Sequence, residues 1–304
     1  MKNTGRAIAF AITANLMWGL FPLYWPLLKP ANSFEIVAHR AIWTLVFCSV
    51  VLLFSKKFRS TLALLKSKHN FVRLTFSTIF ISGNWLIYVW GVNHGHVVEC
   101  ALGYYINPLV MVLFGVVLLK EKMRRLQWVA VAIAAVGVLI LALDYGHFPW
   151  VALGLTFSWG SYGLTKKKLG LGGLEGIMLE TLLSAIPYGA YLLVLAHNGT
   201  GQFGHHPRIT VLLMCAGIVT AVPLLLFNNS VNQLPYTLIG LFQYIVPTVQ
   251  FLIGVFKDHE KMTSGRWMGF AIVWIALITL GVDLVQSGRN QSRGASNDNV
   301  AQLD

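Results

Sequence analysis

Long apolar segments alternate with short polar ones along almost the whole chain. A helix needs about 20 mostly apolar residues to cross a bilayer, and ten segments approach or meet that length. The segment 237–256 contains no charged residue at all. The pattern predicts an all-α, polytopic membrane protein with ten transmembrane helices, at residues 7–27, 34–54, 72–91, 97–119, 126–143, 148–165, 175–196, 208–228, 237–256 and 267–285.

The composition agrees with a membrane protein. Of the 304 residues, 56% are apolar and 11% are charged, whereas soluble domains average about 25% charged residues. This excludes a soluble globule and a disordered chain. The three cysteines (Cys48, Cys100 and Cys215) all lie in apolar segments, which excludes a disulfide scaffold. The polar segment 286–304 is predicted to be a disordered cytoplasmic tail.

The net charge of +12 arises from basic residues in the short connections and at the chain ends. Arg40 is the one Lys or Arg residue that lies inside a predicted span and away from its ends. With a cytoplasmic N-terminus, the inner segments carry 17 Lys and Arg residues and the outer loops carry 5. Basic residues accumulate in cytoplasmic loops, so we predict that both termini are cytoplasmic. This placement also argues against a nucleic-acid partner.

The second part of the chain repeats the first at an offset of 139 residues. Segments 103–128 and 242–267 are identical at 11 of 26 positions. We therefore predict two halves, 1–146 and 147–285, with five spans each. An odd number of spans inverts the second half in the membrane, and inverted repeats suit alternating access around a midplane site. The alternative is an old duplication that was retained only for folding.

Four segments resemble RarD-type permeases of the EamA branch of the drug/metabolite transporter superfamily. They are Trp18–Tyr24, Glu35–Arg40, Leu102–Leu109 and Gly240–Thr248, and the resemblance covers about residues 6–285. It implies an exporter-like fold of two inverted EamA units in a bacterial inner membrane. It also implies an association, by name, with chloramphenicol sensitivity. The chain departs from the family at Trp25, where a lysine is common.

Ionisable groups inside a bilayer are costly and are therefore functional candidates. We predict that Arg40 and Glu99 pair on the outer side, either as a gate or anion-binding charge or as a fixed structural pair. Glu180 has no basic residue at its predicted depth, and an isolated carboxyl in a low dielectric tends to keep its proton. Glu180 is therefore the first candidate for proton coupling, and Glu99 is the second. The alternative for Glu180 is a side chain that reaches water at a helix end.

Pro108 and Pro247 are predicted to break spans four and nine, because proline leaves a carbonyl without its helical partner. Aromatic and amide side chains near these breaks suit a pocket for a ring-containing solute. The alternatives are kinked packing helices and interfacial aromatic belts. With Arg40 and Glu99, the candidate substrate-binding residues are Trp18, Trp85, Tyr88, Asn93, Tyr104, Tyr105, Asn107, Gln243 and Tyr244.

The sequence contains no motif that supports catalysis, a metal site or a cofactor. It has no Walker A, H-E-x-x-H or G-x-S-x-G motif. We therefore predict a secondary active transporter of a small organic solute, with export favoured. The alternatives are an importer of the same fold and a membrane sensor or enzyme that transports nothing. The expected partners are a small-molecule substrate and membrane lipid. A coupled proton or other ion, and a monomeric or homodimeric state, stay open.

Overall fold

The structure is a computed structural model that describes residues 2–93, 96–145, 148–257 and 263–300. Within these ranges the regular elements are all helical. Two short 3-10 helices, Trp25–Leu28 and Leu64–Lys66, accompany the α-helices. The α-helices are α1 (Lys2–Gly19), α2 (Phe21–Tyr24), α3 (Ser33–Phe54), α4 (Phe58–Ala63), α5 (Lys68–Asn93), α6 (Val97–Leu118), α7 (Arg125–Tyr145), α8 (Trp150–Leu169), α9 (Gly173–His197), α10 (Pro207–Gln233), α11 (Tyr236–Phe242), α12 (Ile245–Phe256) and α13 (Ser264–Val300).

Every predicted span falls on one helix or on consecutive helices, which confirms an all-helical chain with long apolar helices. Length and composition allow five of the described segments to cross a membrane. Two further helices are apolar but shorter, at Leu102–Leu118 and Trp267–Asp283. The five long segments are Thr4–Leu28, Ser33–Phe54, Arg125–Asp144, Gly173–His197 and Pro207–Gln233.

The two prolines predicted to break helices behave differently. Helix α11 ends at Phe242 and α12 begins at Ile245, because Pro247 has no N–H to bond the carbonyl of Gln243. Helix α6, in contrast, continues through Pro108. The predicted break at Pro108 is therefore wrong, and that proline leaves one carbonyl without its helical bond inside a continuous helix.

Helix α13 differs from the sequence prediction at its C-terminal end. The segment from residue 286 was predicted to be disordered, yet the helix continues to Val300. Extending an existing helix by one residue avoids the cost of a new nucleus. A polar segment can therefore follow an apolar helix without an apolar face of its own.

The helices pack in a pattern that relates an N-terminal group (α1–α7) to a C-terminal group (α8–α13). Helices α5 and α8 pack together, and so do their counterparts α10 and α1. Helices α6 and α8 pack together, as do α12 and α1. The pairs α3 with α9 and α7 with α13 join counterparts directly. Most contacts between the two groups thus have an equivalent in which each helix is replaced by its counterpart from the other group.

Glycines permit the closest helix approaches. A Cβ atom on Gly217 of α10 would lie 2.5 Å from the Cβ atom of Trp43 on α3. A Cβ atom on Gly240 of α11 would lie 2.8 Å from the Cβ atom of Met111 on α6. Helices in lipid associate through such small residues, which let two backbones come together. These glycines set the spacing between the two groups.

Gly217→Ala tests this close packing. The added methyl group collides with the backbone of Trp43, and overpacking of this kind costs about 1–3 kcal/mol of unfolding free energy. We expect a lower midpoint of thermal unfolding in detergent. Gly189→Ala is the matched control, because a Cβ atom there meets nothing within 4 Å and alanine favours helix by up to about 1 kcal/mol. Equal midpoints for the two variants would contradict the tight α3–α10 contact.

Candidate functional site

Arg40 on α3 occupies a partly exposed position between helices of both groups. Its Nε atom donates a hydrogen bond to the hydroxyl of Thr220 on α10, at 3.0 Å. Its guanidinium carbon lies 4.6 Å from the ring centroid of Trp25 and 5.0 Å from that of Trp85 on α5. Both distances suit a cation–π interaction. The arginine is therefore held by a hydroxyl and two aromatic rings.

Tyrosine side chains complete the surroundings of Arg40. Tyr88 and Tyr104 lie within range of electrostatic interaction with the guanidinium, as do Tyr24 and Tyr188. The rings of Tyr88 and Tyr104 meet edge to face, with their centroids 6.3 Å apart. We call the following set the Arg40 cluster: Trp25, Arg40, Trp85, Tyr88, Tyr104 and Thr220.

The predicted pair of Arg40 and Glu99 is wrong. One oxygen of Glu99 accepts a hydrogen bond from the backbone N–H of Val151, at 2.6 Å, and the other lies 3.0 Å from Nδ1 of His96. Val151 lies in the first turn of α8, where backbone N–H groups lack helical partners and attract negative charge. Among the described residues, no carboxylate forms an ion pair with Arg40.

Two further carboxylates of the N-terminal group bind backbone N–H groups of the C-terminal group. Glu35 is 1% exposed and accepts hydrogen bonds from the N–H groups of residues 202 and 203, at 2.6 and 3.3 Å. Glu121 accepts hydrogen bonds from the N–H groups of residues 236 and 237, at 2.7 and 2.9 Å. The sequence analysis missed both glutamates as site candidates, because they lie at or beyond the ends of the predicted spans.

Glu180 on α9 has a basic partner, contrary to the sequence prediction. Nζ of Lys166 lies 3.0 Å from its Oε1 atom, and both side chains are almost fully buried. The hydroxyl of Ser77 on α5 donates to the same oxygen, at 2.5 Å, and Tyr162 donates to the other, at 3.3 Å. The predicted span ended at residue 165 and left Lys166 in the following loop, but α8 extends to residue 169. The absence of a side chain on Gly176 leaves room for the lysine to reach inward.

A pair of amides joins α6 to the break between α11 and α12. Nδ2 of Asn107 donates to Oε1 of Gln243 across 3.4 Å, and both side chains are buried. Oδ1 of Asn107 and Nε2 of Gln243 have no hydrogen-bond partner among the described residues. This pair can therefore offer one acceptor and one donor to a ligand in the interior.

The other predicted binding residues are distributed as follows. Trp18 packs against Trp159 and Phe227, with ring centroids 5.2 and 5.3 Å away. Tyr105 and Tyr244 are buried. The side chain of Asn93 lies outside the described residues. The structure thus groups four of the predicted residues around one position: Arg40, Trp85, Tyr88 and Tyr104.

Sequence reasoning missed Trp25 and Thr220 as members of the cluster. Trp25 carried a signal, because the chain departs from the resembled family at that position. Thr220 carried none, since a threonine inside an apolar span most often bonds its own helix. Its contact with Arg40 joins residues 180 positions apart, and only the packing of α3 on α10 creates it.

The structure combines features that are typical of a multi-pass membrane transporter. These are long apolar helices, carboxylates that accept hydrogen bonds from backbone N–H groups at helix ends, and a polar cluster between two helix groups. The family profile of the EamA-like transporter family matches residues 5–143. Protein RarD of Streptomyces exfoliatus is 44% identical over 95% of this chain and 91% of its own length. The chain therefore belongs to the EamA-like transporter family and is related to the RarD proteins.

Two other comparisons agree with this membership. The uncharacterized transporter YojE of Bacillus subtilis (strain 168) is 44% identical over 91% of this chain and 93% of its own. A crystal structure of a protein that is 16% identical superposes with a TM-score of 0.69, covering 90% of this chain and 96% of that one. The structural likeness supports the fold alone.

A double-mutant cycle tests the buried ion pair. Glu180→Gln leaves the Lys166 cation buried without its counter-charge, which costs about 3–5 kcal/mol. Lys166→Met combined with Glu180→Gln removes both charges and should recover most of that loss. The measurement is the free energy of unfolding in detergent. Lys57→Met is the control, because Lys57 is exposed and 3.9 Å from Glu175, and exposed pairs contribute at most about 1 kcal/mol. Additive losses in the double variant would exclude the pair.

Proposed function

We propose that this protein is a secondary active transporter that moves a small organic solute across the bacterial inner membrane, with export favoured. The observation that carries the proposal is the Arg40 cluster, a charged and aromatic site formed by helices of both groups in a member of a transporter family. Alternating access requires a site between two parts that move against each other. A membrane sensor or enzyme would need no such placement.

Ten spans, arranged as two inverted halves with cytoplasmic termini, form part of the proposal. Contacts between loops and helix ends support it, because each joins ends that this topology puts on the same side. Glu35 and Glu99 bind backbone at predicted outer ends, and Glu121 binds backbone at a predicted inner end. Arg124 also pairs with Asp283, and both lie at predicted inner ends. The symmetric packing of the two helix groups supports the inversion.

The described packing supports contact between the two helix groups on the inner side of the proposed topology. In the proposed topology, α11 is the inner part of span nine and α12 its outer part. Helix α6 packs more extensively on α11 than on α12. Arg40 lies seven residues after the start of α3, which is about 10 Å below the outer end, and it is partly exposed. This depth and this partial exposure support access to the Arg40 cluster from the outer side in the proposed orientation.

Glu180 keeps its role as coupling candidate in a changed form. Its ion pair with Lys166 links α9 to α8, and its bond to Ser77 links α9 to the N-terminal group. A proton on Glu180 would remove the attraction to Lys166 and weaken that link. We therefore propose that a proton acts by opening this contact. Glu99, the second candidate, is bonded to the first turn of α8 and is proposed to hold the outer ends.

Cysteine labelling tests the topology. In a background without Cys48, Cys100 and Cys215, single cysteines at Ser67 and Ser264 should react with an impermeant maleimide from opposite sides of the membrane. The reason is that Ser67 precedes the third span of the first half, while Ser264 begins the last helix of the inverted half. Labelling of both sites from the same side in oriented vesicles would exclude the inverted arrangement.

A transport assay tests proton coupling. The solute is first identified by thermal-shift screening of the purified protein, and its accumulation in proteoliposomes is then driven by a pH gradient. We expect the stable double variant, Lys166→Met with Glu180→Gln, to bind the solute but to lose gradient-driven accumulation at least tenfold. The Lys57→Met protein should behave as wild type. Normal accumulation by the double variant would leave transport in place but exclude Glu180 as the coupling group.

A further inference from the structure

We infer that the Arg40 cluster binds the carboxylate of a small aromatic acid, an inference that rests on the proposed transport function and names its substrate class. Arg40 carries a full positive charge within a predicted span, and the described residues supply no carboxylate to balance it. An unbalanced charge at this depth is costly. A bound anion would remove that cost.

The hydrogen bonds of Arg40 leave the carboxylate-binding edge of the guanidinium available. Its Nε atom is bonded to Thr220, and the two Nη groups have no acceptor among the described residues. Two parallel N–H groups on a planar guanidinium match the two oxygens of a carboxylate. Trp25 and Trp85 lie against the guanidinium and limit its movement, so the fork is positioned before a ligand arrives.

The neighbouring side chains favour an aromatic group beside that carboxylate. Tyr88 and Tyr104 are partly exposed, and their rings lie edge to face. Neither hydroxyl forms a hydrogen bond within the described part of the chain. Aromatic rings offer a solute ring both apolar area and favourable edge-to-face contact. The two hydroxyls can also donate to an oxygen of the ligand.

The charge of the cluster favours a monoanion. Arg40 is the one cation among its six defined members. A single carboxylate neutralises that charge, whereas a phosphate monoester would leave excess negative charge among tyrosines. The oxyanion of a lipid headgroup could reach a partly exposed arginine by the same chemistry. A free acid and a lipid must therefore be distinguished by experiment.

The experiment measures binding to the full-length protein in phosphatidylcholine nanodiscs. The probes are benzoate, phenylacetate and 3-phenylpropionate, each paired with its uncharged amide. We expect at least one acid to bind the wild-type protein about tenfold more tightly than its amide, because a charge-assisted bond to arginine is lost in the amide. The readouts are equilibrium dialysis and the midpoint of thermal unfolding.

The variants assign that preference to Arg40. Arg40→Gln should bind the acid at least tenfold more weakly, with binding of the amide unchanged. Arg40→Lys keeps the charge but loses the planar fork, so its affinity should be intermediate. If Arg40→Gln fails to fold, the Arg40→Lys variant tests the role of Arg40 in its place. Arg6→Gln is the matched control, because Arg6 also lies over an aromatic ring, that of Phe10, at 5.1 Å, and should leave acid binding unchanged.

Several results would overturn the assignment. One is that no acid binds more tightly than its amide. Another is that both Arg40 variants bind acids as the wild type does. A third is that phosphatidylglycerol stabilises the wild type through Arg40 while no acid binds, which would make the ligand a lipid headgroup.

The same variants separate this assignment from the proposed function. Acid binding that depends on Arg40, without transport in proteoliposomes, would retain the site and reject the transporter. If the protein instead transports a neutral solute, and Arg40→Gln leaves that transport unchanged, the transporter function would be retained and the acid-binding site rejected.

Discussion

Three carboxylates of the N-terminal group accept hydrogen bonds from backbone N–H groups of the C-terminal group, and much of the structure depends on this arrangement. Lipid offers no water to a helix end, so each unpaired backbone group there costs several kcal/mol. Glu99 and Glu121 remove that cost at the first turns of α8 and α11, and Glu35 binds two N–H groups of the loop between α9 and α10. Because each bond crosses between the groups, the same interactions that stabilise helix ends also fix how the groups meet.

This use of the carboxylates determines the electrostatics around Arg40. Glu35 lies on the same helix as Arg40, and Glu99 was its expected partner, yet both are committed to backbone N–H groups. Arg40 is left with a hydroxyl and aromatic rings. These hold its position without neutralising its charge. A binding site for an anion thus arises because the available acidic groups serve the helix ends.

Two basic residues within the helices, the buried Lys166 and the partly exposed Arg40, have different kinds of partner. Lys166 is matched by Glu180, with Ser77 and Tyr162 completing the bonds of the carboxylate. In that network the positive charge of Lys166 is matched by the negative charge of Glu180, which suits a contact that opens or closes. Arg40 has no such match, which suits a ligand-binding role. A third polar contact, between Asn107 and Gln243, places a partly satisfied amide pair at the helix break.

The sequence by itself determined the helical membrane class and the approximate positions of the long helices, since apolar runs of about 20 residues have few other solutions. Its four motif segments determined the family. It also identified four members of the Arg40 cluster, because charged and aromatic residues stand out in apolar segments. Tertiary structure alone decided the partners. Glu99 binds Val151, Lys166 reaches Glu180, and Thr220 bonds Arg40. These pairings depend on which helices pack together. They also depend on how far each side chain extends, and the position of a residue along its predicted span does not show this.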